Sequence, residues 1–274
     1  MKKSATILIL FVFSLALTAC RQKDTCPCPP AVADTTVVKE AIEDETILYD
    51  TKNIDNQIVE NEFGFVNVSD VAPDVIVELR YYTTYNFVGT RIDGYEEPVA
   101  LLTREAAEAL KRVSDDVKAQ GYRLKIFDAY RPARAVRHFV RWAADRGDTL
   151  MKPCFYPDID KARLFKEGYI SSRSRHSRGS TVDLTLFDVA TGKELDMGTP
   201  FDWLGTESHP SYKTGLTEQQ YANRMTLRKA MMRHGFRPVA TEWWHFTLQN
   251  EPYPDTSFDF PVNDDGKKTI AEPL

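Results

Sequence analysis

The sequence predicts an α+β fold: one domain in which a central, mainly antiparallel sheet is flanked by helices. Apolar residues recur with the helical period in three separate windows, opening near Thr103, Pro132 and Thr217. Short β-branched and aromatic runs lie between them, among them Leu124–Phe127 and Thr181–Phe187. The turn-forming stretch 188–193 then sends the second of those runs back on itself, as antiparallel neighbours require. With 274 residues and 42% hydrophobic content, the chain can bury a sizeable core. A formal net charge of −5 gives no reason to propose a nucleic-acid partner.

The chain starts with a segment that does not belong to that domain. Lys2 and Lys3 precede an apolar run from Ala5 to Leu17, too short for an ordinary spanning helix and of the right length and place for a signal peptide. The run closes in Leu17-Thr18-Ala19-Cys20, which resembles the lipobox of bacterial lipoproteins, where the cysteine becomes the lipidated first residue of the mature protein. A simple cleaved secretory signal, with a similar small-residue site, is the alternative. From Arg21 to about Ile58 the chain is rich in Pro, Asp, Glu, Thr and Lys and lacks apolar periodicity, which suits a flexible tether. Within it, Ile42–Tyr49 suits a short helix or a strand equally. The expected organisation is a signal peptide over 1–19, a tether over 20–58 from a lipidated Cys20, and a folded domain over 59–274. Such a protein is exported and anchored by lipid to a bacterial membrane. Cys26, Cys28 and Cys154 then remain. The first two lie too close for an easy mutual bridge, and a bond from either to Cys154 is left open.

Folded structure is expected from about Phe63. Val66–Val68 and Val75–Tyr81 read as extended, and Pro73 between them discourages one continuous element. The aromatic, glycine-containing stretch Tyr82–Glu97 is either the rim of a pocket or a structural excursion. Thr103–Gln120 reads as a helix, with Thr103 at its cap, Glu105 at its positive end, Ala106, Leu110, Val113 and Val117 on one face, and Gly121 as its stop. The strand Leu124–Phe127 leads into Asp128-Ala129-Tyr130-Arg131-Pro132. Pro132 opens a second helix that buries Val136, Phe139, Val140 and Ala143 and ends at Gly147. His138, on that helix, has no local partner and is expected to be exposed. Arg131 sits at the strand-to-helix junction with two readings open, an ion pair with Asp128 or a cation aimed at charge that develops in a reaction.

Met151–Tyr169 is aromatic and irregular and leads into Ser-Arg-His-Ser-Arg-Gly-Ser-Thr-Val-Asp, residues 174–183. Gly179 allows a tight turn after His176, and the following alternation of polar and apolar residues suits a half-buried strand, so His176 and Asp183 can converge. A second piece, Glu242-Trp243-Trp244-His245, offers one more imidazole and one more carboxylate. A catalytic zinc ion takes three nitrogen or oxygen ligands and keeps a fourth position open. His176, Asp183 and His245 fill that set with one zinc per chain, leaving Glu242 as the base. Residues three apart point to opposite faces of a regular strand. The run Thr241–Leu248 nevertheless favours a strand, so a bulge or irregular start is expected near Glu242. Arg173, Arg175 and Arg178 flank this site either as a solvated loop or as a lining that attracts a carboxylate.

Met197–Tyr212 is loop-like, and His209 in it is read as a surface histidine. Thr217 and Gln220 form a capping box that opens the last helix, which ends at His234 and Gly235. Phe236–Leu248 is then one strand carrying Glu242 and His245.

Several motifs in order make the chain similar to the VanX-type zinc D-alanyl-D-alanine dipeptidases, a branch of the D,D-peptidases. They are Tyr-Asn-Phe-Val-Gly with Asp-Gly-Tyr downstream, Asp-Ala-Tyr-Arg-Pro, the 174–186 stretch, Met-Gly-Thr-Pro-Phe-Asp, and Glu-Trp-Trp-His-Phe followed by Glu-Pro-Tyr-Pro. The similarity runs from about Asn61 to Val262. It implies zinc ligation by His176, Asp183 and His245, general base and acid duty for Glu242, and a transition-state role for Arg131. Ser174 and Asp202 fall where the family holds the amino end of its substrate. Arg175 stands where the family often has a serine or another small residue. The implied partners are a small D,D-dipeptide and, through the lipid, a membrane; no obligate protein partner is implied. The expected activity is hydrolysis of D-alanyl-D-alanine in wall dipeptide turnover or scavenging. The alternatives are a D,D-carboxypeptidase acting on longer wall peptides and a zinc-stabilised lipoprotein that binds wall fragments without turnover.

Overall fold

The computed structural model describes residues 61–264. The expected signal peptide, tether and lipidated Cys20 lie outside the described residues. Strand β5 (Thr181–Asp188) is the spine of the sheet. Its side chains alternate, with fully buried Val182, Leu184 and Leu186 on one face and Thr181, Asp183 and Thr185 on the other. Strand β4 (Tyr122–Asp128) runs antiparallel along one edge. The opposite edge is shared by β8 (His245–Leu248) near the start of β5 and by β6 (Lys193–Glu194) at its end. Short β2 (Ile76–Val77) lies parallel to β4, and β7 (Phe236–Pro238) lies antiparallel to β8, so the order is β2-β4-β5-β8-β7. A separate pair joins β1 (Phe65–Asn67) to β3 (Leu101–Thr103). The architecture is thus the α+β fold expected, with one parallel pair at its margin.

Helices α2 (Arg104–Lys118) and α5 (Glu218–Arg233) contact each other and the apolar face of the sheet. Helix α2 buries Ala106, Leu110, Val113 and Val117, the stripe its period predicts. The capping box of α5 forms as expected: Thr217 Oγ1 accepts the Gln220 N–H at 3.1 Å, and Gln220 Oε1 accepts the Thr217 N–H at 2.9 Å. Thr103, by contrast, makes no side-chain cap. Its backbone belongs to β3, and its hydroxyl lies 2.8 Å from that of Ser180.

Several local expectations are corrected. The first extended segment stops at Asn67, whose side chain accepts the Ser69 N–H at 3.0 Å and turns the chain into α1 (Val68–Val71). Of Val75–Tyr81 only two residues pair, because the chain turns into a single 3₁₀ turn at Arg80–Tyr82. Pro132 is the residue before α3 (Ala133–Ala144) rather than its first, and has no side chain to cap it. Asp259, 125 residues beyond Arg134, takes that duty by accepting the Arg134 N–H at 2.6 Å. His138 is partnered: its Nδ1 lies 3.0 Å from the Asp93 carboxylate and the side chain is 20% exposed. The single strand expected over 236–248 is a hairpin of β7 and β8 that reverses between Pro238 and His245; Pro238 stands on the edge strand, where its missing N–H removes no ladder bond.

Residues 151–169 are irregular around the four-residue α4 (Lys152–Phe155), on which Cys154 is disulfide-bonded. The chain's other cysteines, Cys20, Cys26 and Cys28, lie outside the described residues. Beyond Tyr253 an aromatic strap wraps back on the start of the domain, stacking Phe260 on Tyr130 at 4.3 Å and setting Phe258 edge-on to Phe65 at 5.2 Å. Among the described residues no helix is long and apolar enough to cross a membrane.

Candidate active site

The site is built where β5, β8 and the end of β4 meet. Asp183 and His245 are direct partners in the β5–β8 ladder, so their side chains leave the sheet on the same face. On the other edge the β4–β5 register slips by one residue between Ile126 and Asp128, and Asp128 comes to stand opposite Asp183. Continued without that bulge, the pairing would put Phe127 there and turn Asp128 to the apolar face. His176 arrives from a single 3₁₀ turn, Arg175–Arg178. Ser174 Oγ accepts the His176 N–H at the start of that turn, and Gly179, at φ +81°, ends it. A Cβ at residue 179 would sit 2.1 Å from the Phe65 ring, so glycine is required there by both conformation and space.

Three donors converge. His176 Nε2 lies 3.2 Å from His245 Nδ1 and 3.2 Å from Asp183 Oδ2, and His245 Nδ1 lies 3.0 Å from Asp183 Oδ1. Zinc bonds of about 2.0–2.1 Å in a tetrahedral set place neighbouring ligand atoms roughly 3.3 Å apart, close to these separations. His176 Nδ1–H donates to the Ala129 carbonyl at 2.7 Å, which leaves Nε2 with its lone pair facing the other two donors. Asp183 Oδ1 is buried beside His245, yet no hydrogen is aligned on it, an orphaned acceptor of the kind a cation satisfies.

The electrostatics agree. Burial would raise the Asp183 carboxyl, but His176 and His245 outweigh it and hold the group well below the usual carboxylate range. Burial lowers His176, despite the nearby Asp183. Burial also works against a charged His245, but its contact with Asp183 and the charge of that carboxylate raise it above an ordinary imidazole. Burial and the Asp183 charge raise Glu242, against the pull of His245 and Arg131. Asp202 is raised well above the carboxylate range, first by burial and then by Asp183, against Arg131 and the Tyr81 hydroxyl. A pocket in which carboxylates push one another's pKa upward is short of positive charge, and the donor set fits a divalent ion.

Every site residue expected from the sequence, Cys20 apart, lines one cavity of about 210 Å³: Arg131, Ser174, His176, Asp183, Asp202, Glu242 and His245. Glu242 lies in the turn before β8, the irregular start expected, with Oε2 3.5 Å from His245 Nδ1. Arg131 makes the ion pair of its first reading and also stands at the cavity. Its Nε donates to Asp128 at 2.8 Å, while one terminal nitrogen lies 3.4 Å from Asp183 and the group lines the cavity. Arg173 and Arg175 line the cavity too, whereas Arg178 is taken up by Glu251 at 2.9 Å and the Pro254 carbonyl. His209 does not line it.

One residue escaped the sequence reading. Tyr81, assigned there to an extended segment, donates its hydroxyl to Asp202 at 3.0 Å, and the Arg131 guanidinium lies 4.9 Å over its ring. Nothing in the Arg-Tyr-Tyr-Thr-Thr run singled it out; only the fold buries it. Asp202 itself has φ +62°, the only non-glycine residue with positive φ among the described residues, so its side chain is delivered by a strained turn.

Donors gathered for a divalent ion beside a free carboxylate, in a cleft open to a small ligand, are the equipment of a metallopeptidase. A family model described as D-ala-D-ala dipeptidase matches residues 61–263, and the chain belongs to that family. It is 41% identical over 201 residues to a D-alanyl-D-alanine dipeptidase of Enterococcus faecium, covering 73% of this chain and 99% of that one. It is 43% identical over 202 residues to one of Enterococcus faecalis, covering 74% and 100%. With one of Escherichia coli it shares 33% identity over 190 residues, 69% of this chain and 87% of that one. A solved zinc-bound VanY D,D-pentapeptidase superposes with a TM-score of only 0.33 at 15% identity, covering 58% of this chain and 78% of that one.

Proposed function

We propose that the chain hydrolyses D-alanyl-D-alanine to two D-alanines, using one zinc ion held by His176, Asp183 and His245. The observation that carries this reading is the position of Glu242, an ionisable carboxylate 3.5 Å from a metal-donor nitrogen on the wall of the cavity that Arg131 and Asp202 also line. When bound, zinc supplies Lewis acidity and lowers the pKa of water to about 7. Glu242 takes the proton of the attacking water and returns it to the leaving amine; its raised pKa suits both duties near neutrality. Arg131, pinned by Asp128, faces the oxygen on which negative charge develops. Asp202 and Tyr81 hold the substrate ammonium, and Ser174 supports His176 from the rim. A cavity of about 210 Å³ is small even against drug-sized sites of roughly 300–1,000 Å³, which favours a dipeptide over a longer wall peptide.

The N-terminal features belong to the same reading: a signal peptide over 1–19, a lipidated Cys20, a tether over 20–58 and a catalytic domain over 59–274, exported and anchored at a membrane. The disulfide at Cys154 supports an oxidising compartment. An enzyme placed there suits turnover or scavenging of wall dipeptide.

The experiment is turnover of D-alanyl-D-alanine by purified, zinc-loaded protein and by Glu242→Ala. Retained zinc with nearly all hydrolysis lost is expected, and unchanged turnover in the variant would refute the assignment. An N-acylated analogue separates dipeptidase from carboxypeptidase: it should be a poor substrate, because it cannot offer a charged amine to Asp202. Tight binding with no product would favour the binding-protein alternative.

A further inference from the structure

Tyr95 lies in the long aromatic loop after Arg80–Tyr82 and is 1% exposed. Its hydroxyl donates to Asp128 Oδ1 at 2.6 Å. The other oxygen of Asp128 accepts Arg131 Nε at 2.8 Å. Asp128 is thus held at both oxygens and cannot swing away from Arg131. The guanidinium also rests against two rings that pack on each other, 4.9 Å from the centroid of Tyr81 and 5.3 Å from that of Phe139, while its end reaches Asp183. A buried hydroxyl is costly unless it is bonded, and packing alone would be served equally by phenylalanine. The loop is shaped to deliver this hydroxyl. Gly94 has φ +88°, and a Cβ there would meet Pro132 at 2.7 Å and Arg134 at 2.8 Å. Tyr95 itself is bridged to Val262 of the C-terminal strap.

We propose that Tyr95 is a positioning residue for the reaction, acting through Asp128 to fix the Arg131 guanidinium at the cavity wall. The inference rests on the dipeptidase reading only for its assay. A long arginine side chain has several rotatable bonds, and a group held in place beforehand loses less freedom when charge develops beside it. Loss of the Tyr95 hydroxyl therefore acts on the rate of the chemical step rather than on substrate affinity.

The test is a double-mutant cycle on zinc-loaded protein. Tyr95→Phe is expected to lower kcat about tenfold, the worth of one hydrogen bond to a charged group, with KM changed less than about twofold and zinc content unchanged. In an Arg131→Ala background, assayed at high enzyme concentration, the same change is expected to alter kcat less than about twofold. An unchanged kcat in Tyr95→Phe, a loss confined to KM, or an equal loss in both backgrounds would overturn the inference. Asp128→Asn serves as the second variant should Tyr95→Phe fold poorly, with the same coupling expected. If the wild-type protein cleaves no D,D-dipeptide, the functional reading fails on its own. The cycle is then read in thermal midpoints, where additive shifts from Tyr95→Phe and Arg131→Ala would overturn the inference and a clear departure from additivity would uphold only the hold on Arg131 through Asp128.

Discussion

Asp183 and His245 stand opposite each other on adjacent antiparallel strands, with His245 Nδ1 3.0 Å from Asp183 Oδ1. Two candidate ligands placed by one ladder pair are held by backbone hydrogen bonds rather than by loop packing, so the donor pair is as stiff as the sheet. Removing either one should therefore unload the ion without unfolding the domain. His245→Ala and Asp183→Ala are expected to weaken zinc binding by more than about a hundredfold, measured by competition with a chromophoric chelator. Far-ultraviolet circular dichroism should stay close to that of the parent. Zinc held as tightly as in the parent would remove these residues from the ligand set.

Zinc affinity should depend on pH over a window set by His245. In the metal-free protein His245 has a raised pKa, so it keeps its proton at a pH where free imidazole would have lost it. The proton and the metal compete for the same nitrogen. Affinity is expected to climb about tenfold per pH unit up to the raised native value of His245 and to level off above it. The sign for stability follows from the same shift. A raised histidine pKa stabilises the metal-free fold fully below the unfolded-state value, and that contribution is lost as pH rises through the native one. Chelator-treated protein should thus melt lower at pH 8.5 than at pH 6.5, and His245→Ala should narrow that difference. A flat zinc affinity across that range would count against the pair.

Gly179→Ala tests the turn that delivers His176. The substitution places a side chain at φ +81° and drives a methyl group to 2.1 Å from the Phe65 ring. A loss of about 2–4 kcal/mol in chemical denaturation is expected from the sum of backbone strain and overpacking. Zinc affinity should fall with it, since the 3₁₀ turn cannot close unchanged. A variant as stable as the parent would mean that the Phe65 ring can shift to make room.

Asp259 ties the C-terminal strap to the start of α3, two residues from Arg131. It accepts the Arg134 N–H at 2.6 Å and pairs with Arg137 at 2.7 Å. Burial would raise this carboxyl, but Arg137 and Arg134 outweigh it and lower it. Its contribution is present above the unfolded carboxyl pKa and fades as pH falls through the lower native one. Asp259→Ala is expected to cost about 1 kcal/mol at neutral pH, as the loss of a helix cap does, and less in acid. Urea melts of both proteins at pH 7 and pH 3 would show the gap closing; a gap that widens in acid would contradict the assignment.

Cys154 is disulfide-bonded, and the other three cysteines all precede the domain. On the proposed lipidation of Cys20, peptide mapping without reductant should recover Cys154 joined to Cys26 or Cys28. A freely alkylated Cys154 in protein taken from the membrane fraction would argue against that pairing and against an oxidising location.

The sequence by itself determined the main helices, the central strand and the candidate metal donors. Periodicity marked α2 and α5, Thr217 and Gln220 marked the cap, and the spacing around Gly179 announced a turn before a strand. These are legible because each depends on neighbours in the chain. It also singled out His176, Asp183 and His245, since few residue types bind zinc. Tertiary structure decided the rest. Whether Asp128 faces the site or the helices depends on a one-residue slip against β5, and no local pattern encodes it. The cap of α3 comes from Asp259, far along the chain. Tyr81 and Tyr95 became parts of the site only because the aromatic loop folds back over Arg131. Sequence periodicity reports which side of an element is apolar; which polar group meets which is set by register and by chain return, and both are long-range.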